Sequence, residues 1–216
     1  MVSKIIVVRH GRTEWNISGR IQGSTDIPLD EVGTAQAADA AEALAEYKPS
    51  RIVSSDLSRA VATAEPVADL VGVAIERDAR LRERAFGPWE GLKNEEIRDR
   101  FAEDHMRWKS GRPVENPEIE TWDALQERCL EAVEDLTHAA DGTLMVFTHG
   151  GAARHLIAGI LGWDHDAAGA LAGMDNVHWT DLRRMKNGRW RMFGFNLGVR
   201  SVHDLGSSPL SKANQS

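Results

Sequence analysis

Lys4-Ile5-Ile6-Val7-Val8, followed at once by Arg9-His10-Gly11-Arg12-Thr13-Glu14-Trp15-Asn16, is the stretch that decides the fold. Four β-branched apolar residues follow one another without a polar residue between them. A strand with one wet face would alternate, so this run reads as a strand buried on both faces, as in the interior of a parallel sheet. Two further runs read the same way: Arg51-Ile52-Val53-Ser54 and Thr143 to Thr148. Val73 to Ile75 is a third, shorter strand candidate in chain order.

Helical patterns lie between these runs. Glu31 to Tyr47 is Ala-rich with acidic punctuation, with Gly33 in its first turn and Pro49 just past its end. Ser58 to Leu70 and Gly150 to Leu161 are two more. Thr121 to Ala139 carries Trp122, Leu125, Cys129, Val133 and Leu136 at spacings of three or four, so these form one apolar face. Val177 to Leu182 and Trp190 to Phe195 predict a hairpin closed by Asn187-Gly188. The alternation predicts an α/β three-layer sandwich, a mostly parallel sheet with helices on both faces. Residues 1–206 are read as one domain and 207–216 as a disordered polar tail. Residues 87–120 contain Gly87, Pro88, Gly111, Pro113 and Pro117 around a helix from Asn94 to about Trp108, and read as a small lid insertion.

Ligands of such sheets bind beyond the carboxyl ends of the strands. The residues there are Arg9-His10, Ser54-Ser55-Asp56-Leu57-Ser58-Arg59 and His149-Gly150-Gly151. Two Arg and two His converging on one pocket make an anion site, because guanidinium forks match phosphate oxygens. Backbone N–H groups after Gly150 are further donors. Neutral imidazole is nucleophilic near neutral pH, so His10 suits covalent phosphoryl transfer, with its second nitrogen held as N–H by a nearby carbonyl. Transfer to His10 expels an alkoxide, which leaves only with a proton. Glu83, in Leu81-Arg82-Glu83-Arg84, is the candidate acid, and a bound phosphate is a like charge that favours its protonated form. A plain ion pair of Glu83 with Arg82 or Arg84 is the alternative that spacing does not reject.

Composition narrows the class. The 216 residues carry a formal net charge of −7 and are 42% hydrophobic. That balance argues against broad nucleic-acid binding and requires any anion site to concentrate its positive charge locally. The first apolar run is too short for a signal peptide core or membrane span, so a cytoplasmic protein with no membrane segment is expected. One cysteine, Cys129, excludes an internal disulfide and reads as a small buried apolar residue. There is no H-E-x-x-H and no cysteine pair, so neither metal nor cofactor is expected, and Asp164-His165-Asp166 reads as a solvated acidic loop. No residue pattern sets the oligomeric state, for which a homodimer is the assembly considered.

Arg9-His10-Gly11 with Thr13, Glu14 and Asn16 resembles the signature of the histidine phosphatase superfamily, in its phosphoglycerate mutase-like branch. Further blocks match in order: Gln22-Gly23 with Asp26, Pro28-Leu29 and Gly33; Ser54-Ser55-Asp56-Leu57 with Arg59-Ala60 and Thr63-Ala64; Leu81-Arg82-Glu83 with Gly87 and Trp89-Glu90-Gly91; and Thr148-His149-Gly150-Gly151. The resemblance spans residues 4 to 195. It implies His10 as the phosphorylated nucleophile, Arg9, Arg59 and His149 as holders of the phosphoryl oxygens, and Glu83 as proton donor. Asn16, Gln22 and Gly23 would line the same pocket. Mutases of the family carry a basic pair and a proline run after the acid block, where this chain has Lys93-Asn94-Glu95-Glu96. They show Gly-Asn after the second histidine, where this chain has Gly150-Gly151, and Gly151 is expected to leave room for water. Gly173-Met174-Asp175-Asn176 with Trp179-Thr180 resembles actinobacterial phosphatases of phosphorylated glycerates. The expected activity is hydrolysis of a small phosphorylated metabolite, a phosphoglycerate derivative. A phosphoglycerate mutase and a non-catalytic phospho-ligand binding domain are the alternatives. Specificity is expected in residues 87–120 and 162–176. Trp89, Trp108 and Trp122 are read as entrance or core, with the apolar helix face of Trp122 favouring core.

Overall fold

The computed structural model describes residues 2–138 and 141–199. Its six-stranded sheet has the order β3-β2-β4-β1-β5-β6. The strands are β1 (Val2–Arg9), β2 (Arg51–Ser54), β3 (Ile75–Arg77), β4 (Gly142–Thr148), β5 (Trp179–Arg184) and β6 (Trp190–Leu197). The first four are mutually parallel; β5 runs antiparallel to β1 and carries β6 as its hairpin partner.

The continuous apolar run of β1 divides between two cores. Ile5 and Val7 join Leu144 and Val146 under α6 (Trp122–His138) and α7 (Gly150–Leu161). Ile6 and Val8 join Met145 and Phe147 under α2 (Glu31–Ala45) and α3 (Ser58–Val71). Helices therefore cover both faces, which is why the run has no polar residue. Cys129 is fully buried in the first core, and its burial pushes the thiol up to about 12.

Three boundaries move for local reasons. The third strand begins at Ile75, not Val73, because the Gly72 and Val73 N–H groups both return to the Ala68 carbonyl at the left-handed end of α3. The helix expected from Asn94 to Trp108 is two, α4 (Asn94–Arg100) and α5 (Ala102–Lys109), broken at Phe101, whose ring packs 6.3 Å from Trp89. β5 begins at Trp179 because the Val177 N–H is drawn to the Arg9 and His10 carbonyls instead of the ladder. Trp89, Ile97 and Ile119 of the 87–120 insertion build a third core with Phe86, so Trp89 is core. The expected tail at 207–216 lies outside the described residues. Among the described residues no helix is long and apolar enough to cross a membrane.

Gly33 is required by a close approach. It sits in the first turn of α2, whose N-cap Asp30 accepts from the Gly33 N–H at 2.7 Å. A Cβ there would strike the backbone of Arg12, two residues past His10. The helix can press against the loop after β1 only without a side chain at this position.

Candidate active site

Parallel register brings the strand ends together. Arg9 pairs with Thr148 and Ser54 with Phe147, so His10, Ser55 and His149 emerge side by side. The His10 N–H donates to the Thr148 carbonyl at 2.9 Å, and the Ser55 N–H to the Phe147 carbonyl at 2.9 Å. Glu83 arrives from the β3 end. Thr148 Oγ1 donates to the Leu81 carbonyl at 2.7 Å, and Arg128 of α6 donates to the carbonyls of Arg80, Arg82 and Glu83. These contacts stand behind His10 and Glu83, which line a cavity of about 570 Å³.

His10 is 3% exposed and lines that cavity. Its Nδ1 lies 2.7 Å from the Gly11 carbonyl, and a carbonyl can only accept. Nδ1 therefore carries the proton and Nε2 carries the lone pair, as the sequence predicted. Burial, then the charges of Arg59 and Arg9, hold the imidazole well below its ordinary value despite the Gly11 bond. The ring is neutral and nucleophilic at neutral pH. Thr63, one turn along α3 from Arg59, accepts from the Gly11 N–H at 2.9 Å and fixes the carbonyl that fixes the ring.

Arg59 has no exposed surface, and burial brings its guanidinium down to about 10. It donates to His149 Nδ1 at 3.1 Å, to the Thr25 carbonyl at 2.8 Å and to the Gly23 carbonyl at 2.8 Å. Three of five N–H donors are thus engaged, and two remain for an anion. Arg9 donates to the Met174 carbonyl, while its buried Nε has no partner. Burial lowers Arg9 too, against the opposing charges of Glu83 and Asp175.

Three expectations are corrected here. His149, grouped with His10 and the two Arg as part of the anion site, brings no positive charge to it. Its Nδ1 accepts from Arg59, so Nε2 bears the proton and meets Ser55 Oγ at 2.8 Å. Burial, then Arg59, His10 and Arg9, hold it well below the ordinary histidine value, so the ring is neutral. The N–H groups after Gly150 were expected to face phosphate. Instead the Gly151 N–H donates to Glu83 Oε2 at 2.8 Å and the Ala152 N–H to Glu83 Oε1 at 2.9 Å. The start of α7 holds the carboxyl group, and Glu83 Oε1 also accepts from the Arg84 N–H at 2.8 Å. Gly151 was expected to leave room for water. A Cβ there would stand 2.6 Å from Glu83 Oε1, so the space belongs to that carboxyl. The simple ion-pair alternative for Glu83 does not hold: Arg82 forms its bidentate pair with Asp56 at 2.7 and 2.6 Å, and Arg84 turns its Nε to the Glu120 carbonyl at 2.5 Å.

Asn16, Gln22, Gly23 and Gly150 all line the cavity with Arg9, His10 and Arg59. Asn16 also closes a capping box with Thr13. Gly23 adopts φ 53° and presents its carbonyl to Arg59. Glu90 holds the adjoining loop by accepting from Ser24, Thr25 Oγ1 and the Phe86 N–H. Trp122 meets both of its expected placements, since it also packs against the first core. It lines the cavity, stacked on His155 at 4.4 Å with the Arg84 guanidinium 3.8 Å above its ring. Sequence reasoning missed Arg128, Arg154 and His155; Asn176, within the expected 162–176 segment, donates from Nδ2 to the His10 carbonyl at 2.9 Å. The helical spacing of Arg154 and His155 from Gly151 was the signal for those two. Both expected specificity segments reach the cavity, through Trp108, Lys109 and Gly111 and through Gly169, Gly173 and Met174.

Known proteins resemble this chain in sequence and fold. The chain is 31% identical to a glucosyl-3-phosphoglycerate phosphatase of Mycolicibacterium vanbaalenii, over 94% of this chain and 99% of that one. It is 35% identical to a metal-independent phosphoserine phosphatase of Arabidopsis thaliana, over 84% and 79%. The structure of a mycobacterial glucosyl-3-phosphoglycerate phosphatase complexed with VO3 superposes with a TM-score of 0.84 at 32% identity, covering 91% of this chain and 100% of the other. The profile of the histidine phosphatase superfamily, branch 1, matches residues 5–197. The chain therefore belongs to the histidine phosphatase superfamily, and it is an enzyme of the phosphatase kind.

Proposed function

We propose that this enzyme hydrolyses a small phosphorylated metabolite, a derivative of phosphoglycerate, through a phosphohistidine on His10. The observation that carries the reading is the tautomer of His10. Its Nδ1–H is committed to the Gly11 carbonyl, so Nε2 is the attacking nitrogen between two guanidinium groups.

Arg9 and the two open N–H donors of Arg59 grip the phosphoryl oxygens and spread the charge of the transition state. The Nε2 lone pair forms the N–P bond as the P–O bond to the alcohol breaks. Glu83 gives the departing oxygen its proton from Oε2, which has one backbone partner where Oε1 has two. The resulting carboxylate then takes a proton from water as that water attacks phosphorus. The N–P bond breaks, phosphate leaves, and Glu83 is protonated again. Neutral His149, held by Arg59 and Ser55, orients the fork of Arg59 toward the ligand. The reading uses no cofactor and takes the cytoplasm as its compartment.

The test is a parallel assay on 3-phosphoglycerate. Phosphate release at every turnover, an acid-labile and base-stable phosphoprotein, and loss of both in His10→Ala are the expected outcomes. Isomerisation outpacing phosphate release, with a requirement for a bisphosphorylated glycerate, establishes the mutase alternative instead. Tight phospho-ligand binding without turnover establishes the binding domain.

A further inference from the structure

We propose that Arg154 is a carboxylate-binding residue that selects phosphoesters carrying an acid group on the leaving alcohol. This deepens, and rests on, the phosphatase reading above.

Arg154 lies on α7 three residues beyond Gly151, whose N–H holds Glu83. Residues so spaced share a helix face at about 5–6 Å. Gly150, Gly151, Arg154 and His155 accordingly all line the cavity. The two glycines open that face, and the arginine stands where the face continues away from the reacting phosphorus. The Arg154 Nε is buried without a hydrogen-bond partner. Its guanidinium forms no hydrogen bond or ion pair among the described residues, and its far end passes 3.8 Å from where a Cβ on Gly173 would stand. A buried guanidinium nitrogen left in this state is destabilising unless an anion completes it.

The other cations of the cavity have occupations. Arg9 and Arg59 form the phosphoryl clamp. Arg20 donates to the Gly91 carbonyl at 2.5 Å and pairs with Glu96 at 3.6 Å. Lys109 is exposed, with its ammonium over the Trp108 ring at 5.2 Å. Glu83, the carboxyl nearest Arg154 in charge effect, is already held by three backbone N–H groups. Arg154 therefore stands beside the group that protonates the leaving oxygen, half-buried and with no ion pair of its own among the described residues.

The chemistry of the ligand follows. Glucosyl-3-phosphoglycerate and phosphoserine, named for two similar proteins, share a three-carbon skeleton with phosphate at one end and a carboxylate at the other. With the phosphoryl group at His10 and the ester oxygen at Glu83, that carboxylate falls one helical turn along α7, at Arg154.

The experiment compares 3-phosphoglycerate with glycerol 3-phosphate, which has the same skeleton and no carboxylate, and with p-nitrophenyl phosphate. Arg154→Gln is expected to lower kcat/KM for 3-phosphoglycerate by about 30-fold, chiefly through KM, and to change the other two by less than about threefold. Arg154→Lys should restore part of the preference. Calorimetric binding of the two three-carbon esters to His10→Ala, with and without Arg154→Gln, gives the same comparison without turnover. A preference for 3-phosphoglycerate that Arg154→Gln removes supports the proposal. An equal loss on all three substrates, or an unchanged preference, overturns it. Failure of the wild-type enzyme to release phosphate from any of the three, with carboxylate-dependent binding intact, overturns the phosphatase reading and leaves the subsite standing.

Discussion

Gly151→Ala isolates the link between α7 and the acid. The added methyl would stand 2.6 Å from Glu83 Oε1 and 3.3 Å from its Cδ, where ordinary contact begins at 3.4 Å. The difference, 3.4 − 2.6, requires the carboxyl to retreat by about 0.8 Å. That retreat stretches the 2.8 and 2.9 Å bonds from Gly151 and Ala152. Bonds to a charged group are worth about 1.5–3 kcal/mol each, so partial loss of two outweighs the ~0.5–1 kcal/mol that Ala gains over Gly in a helix. Net stability should fall by about 1–2 kcal/mol, a drop in Tm of roughly 2–8 °C for a chain of this size. The catalytic effect should be larger, because a displacement near 1 Å lowers rate by about 100-fold, or about 2.7 kcal/mol of barrier. It should also be selective. Glycerol 3-phosphate, with an alkoxide leaving group, should lose about 100-fold in kcat, while p-nitrophenyl phosphate, whose aryl oxide leaves unaided, should lose less than about tenfold. Steady-state phosphate release from both, with thermal unfolding on the same samples, makes the measurement. Equal losses on the two substrates, or unchanged kcat on glycerol 3-phosphate, would refute the placement of Glu83 as acid.

Two other perturbations test the clamp and the nucleophile. Arg59→Lys keeps the charge but cannot donate to His149, Thr25 and Gly23 together, so kcat/KM should fall by about 100-fold or more and stability by about 1–3 kcal/mol; wild-type kcat/KM would remove Arg59 from the site. The pH profile checks His10. Because burial and two guanidinium groups lower its value, the imidazole stays neutral as pH falls through 6.5, and protonation silences it only well below that. The enzyme's acid limb in kcat/KM, corrected for the substrate phosphate near about pH 6, should therefore lie below 6.5, and a limb at or above 6.5 would contradict the buried, neutral nucleophile.

Much of this architecture was legible along the chain, for reasons of local physics. A strand buried on both faces has no place for a polar residue, so Ile5 to Val8 declares itself. Parallel strands end on one edge, so Arg9-His10, Ser54-Ser55 and Thr148-His149 had to meet once their strands were recognised. Helix ends at Gly72 and Gly162 are written in glycine because the left-handed turn there excludes most other residues.

What local pattern could not decide was which donor meets which acceptor across the fold. The N–H groups at the start of α7 could face a phosphate or a carboxyl, and only the path of a loop 68 residues earlier, pinned by Thr148 and Arg128, delivers Glu83 to them. The charge of His149 depends on Arg59, 90 residues away, taking its Nδ1. Trp122 obeys the apolar periodicity of α6, but periodicity gives the direction of a side chain around the helix and not its height along the axis. As the first residue of that helix it stands at the carboxyl edge of the sheet, where the same face leaves the core and becomes the wall of the cavity. Direction around an element is local and readable; position relative to other elements is set by their packing, and the chemistry of this site depends on that packing.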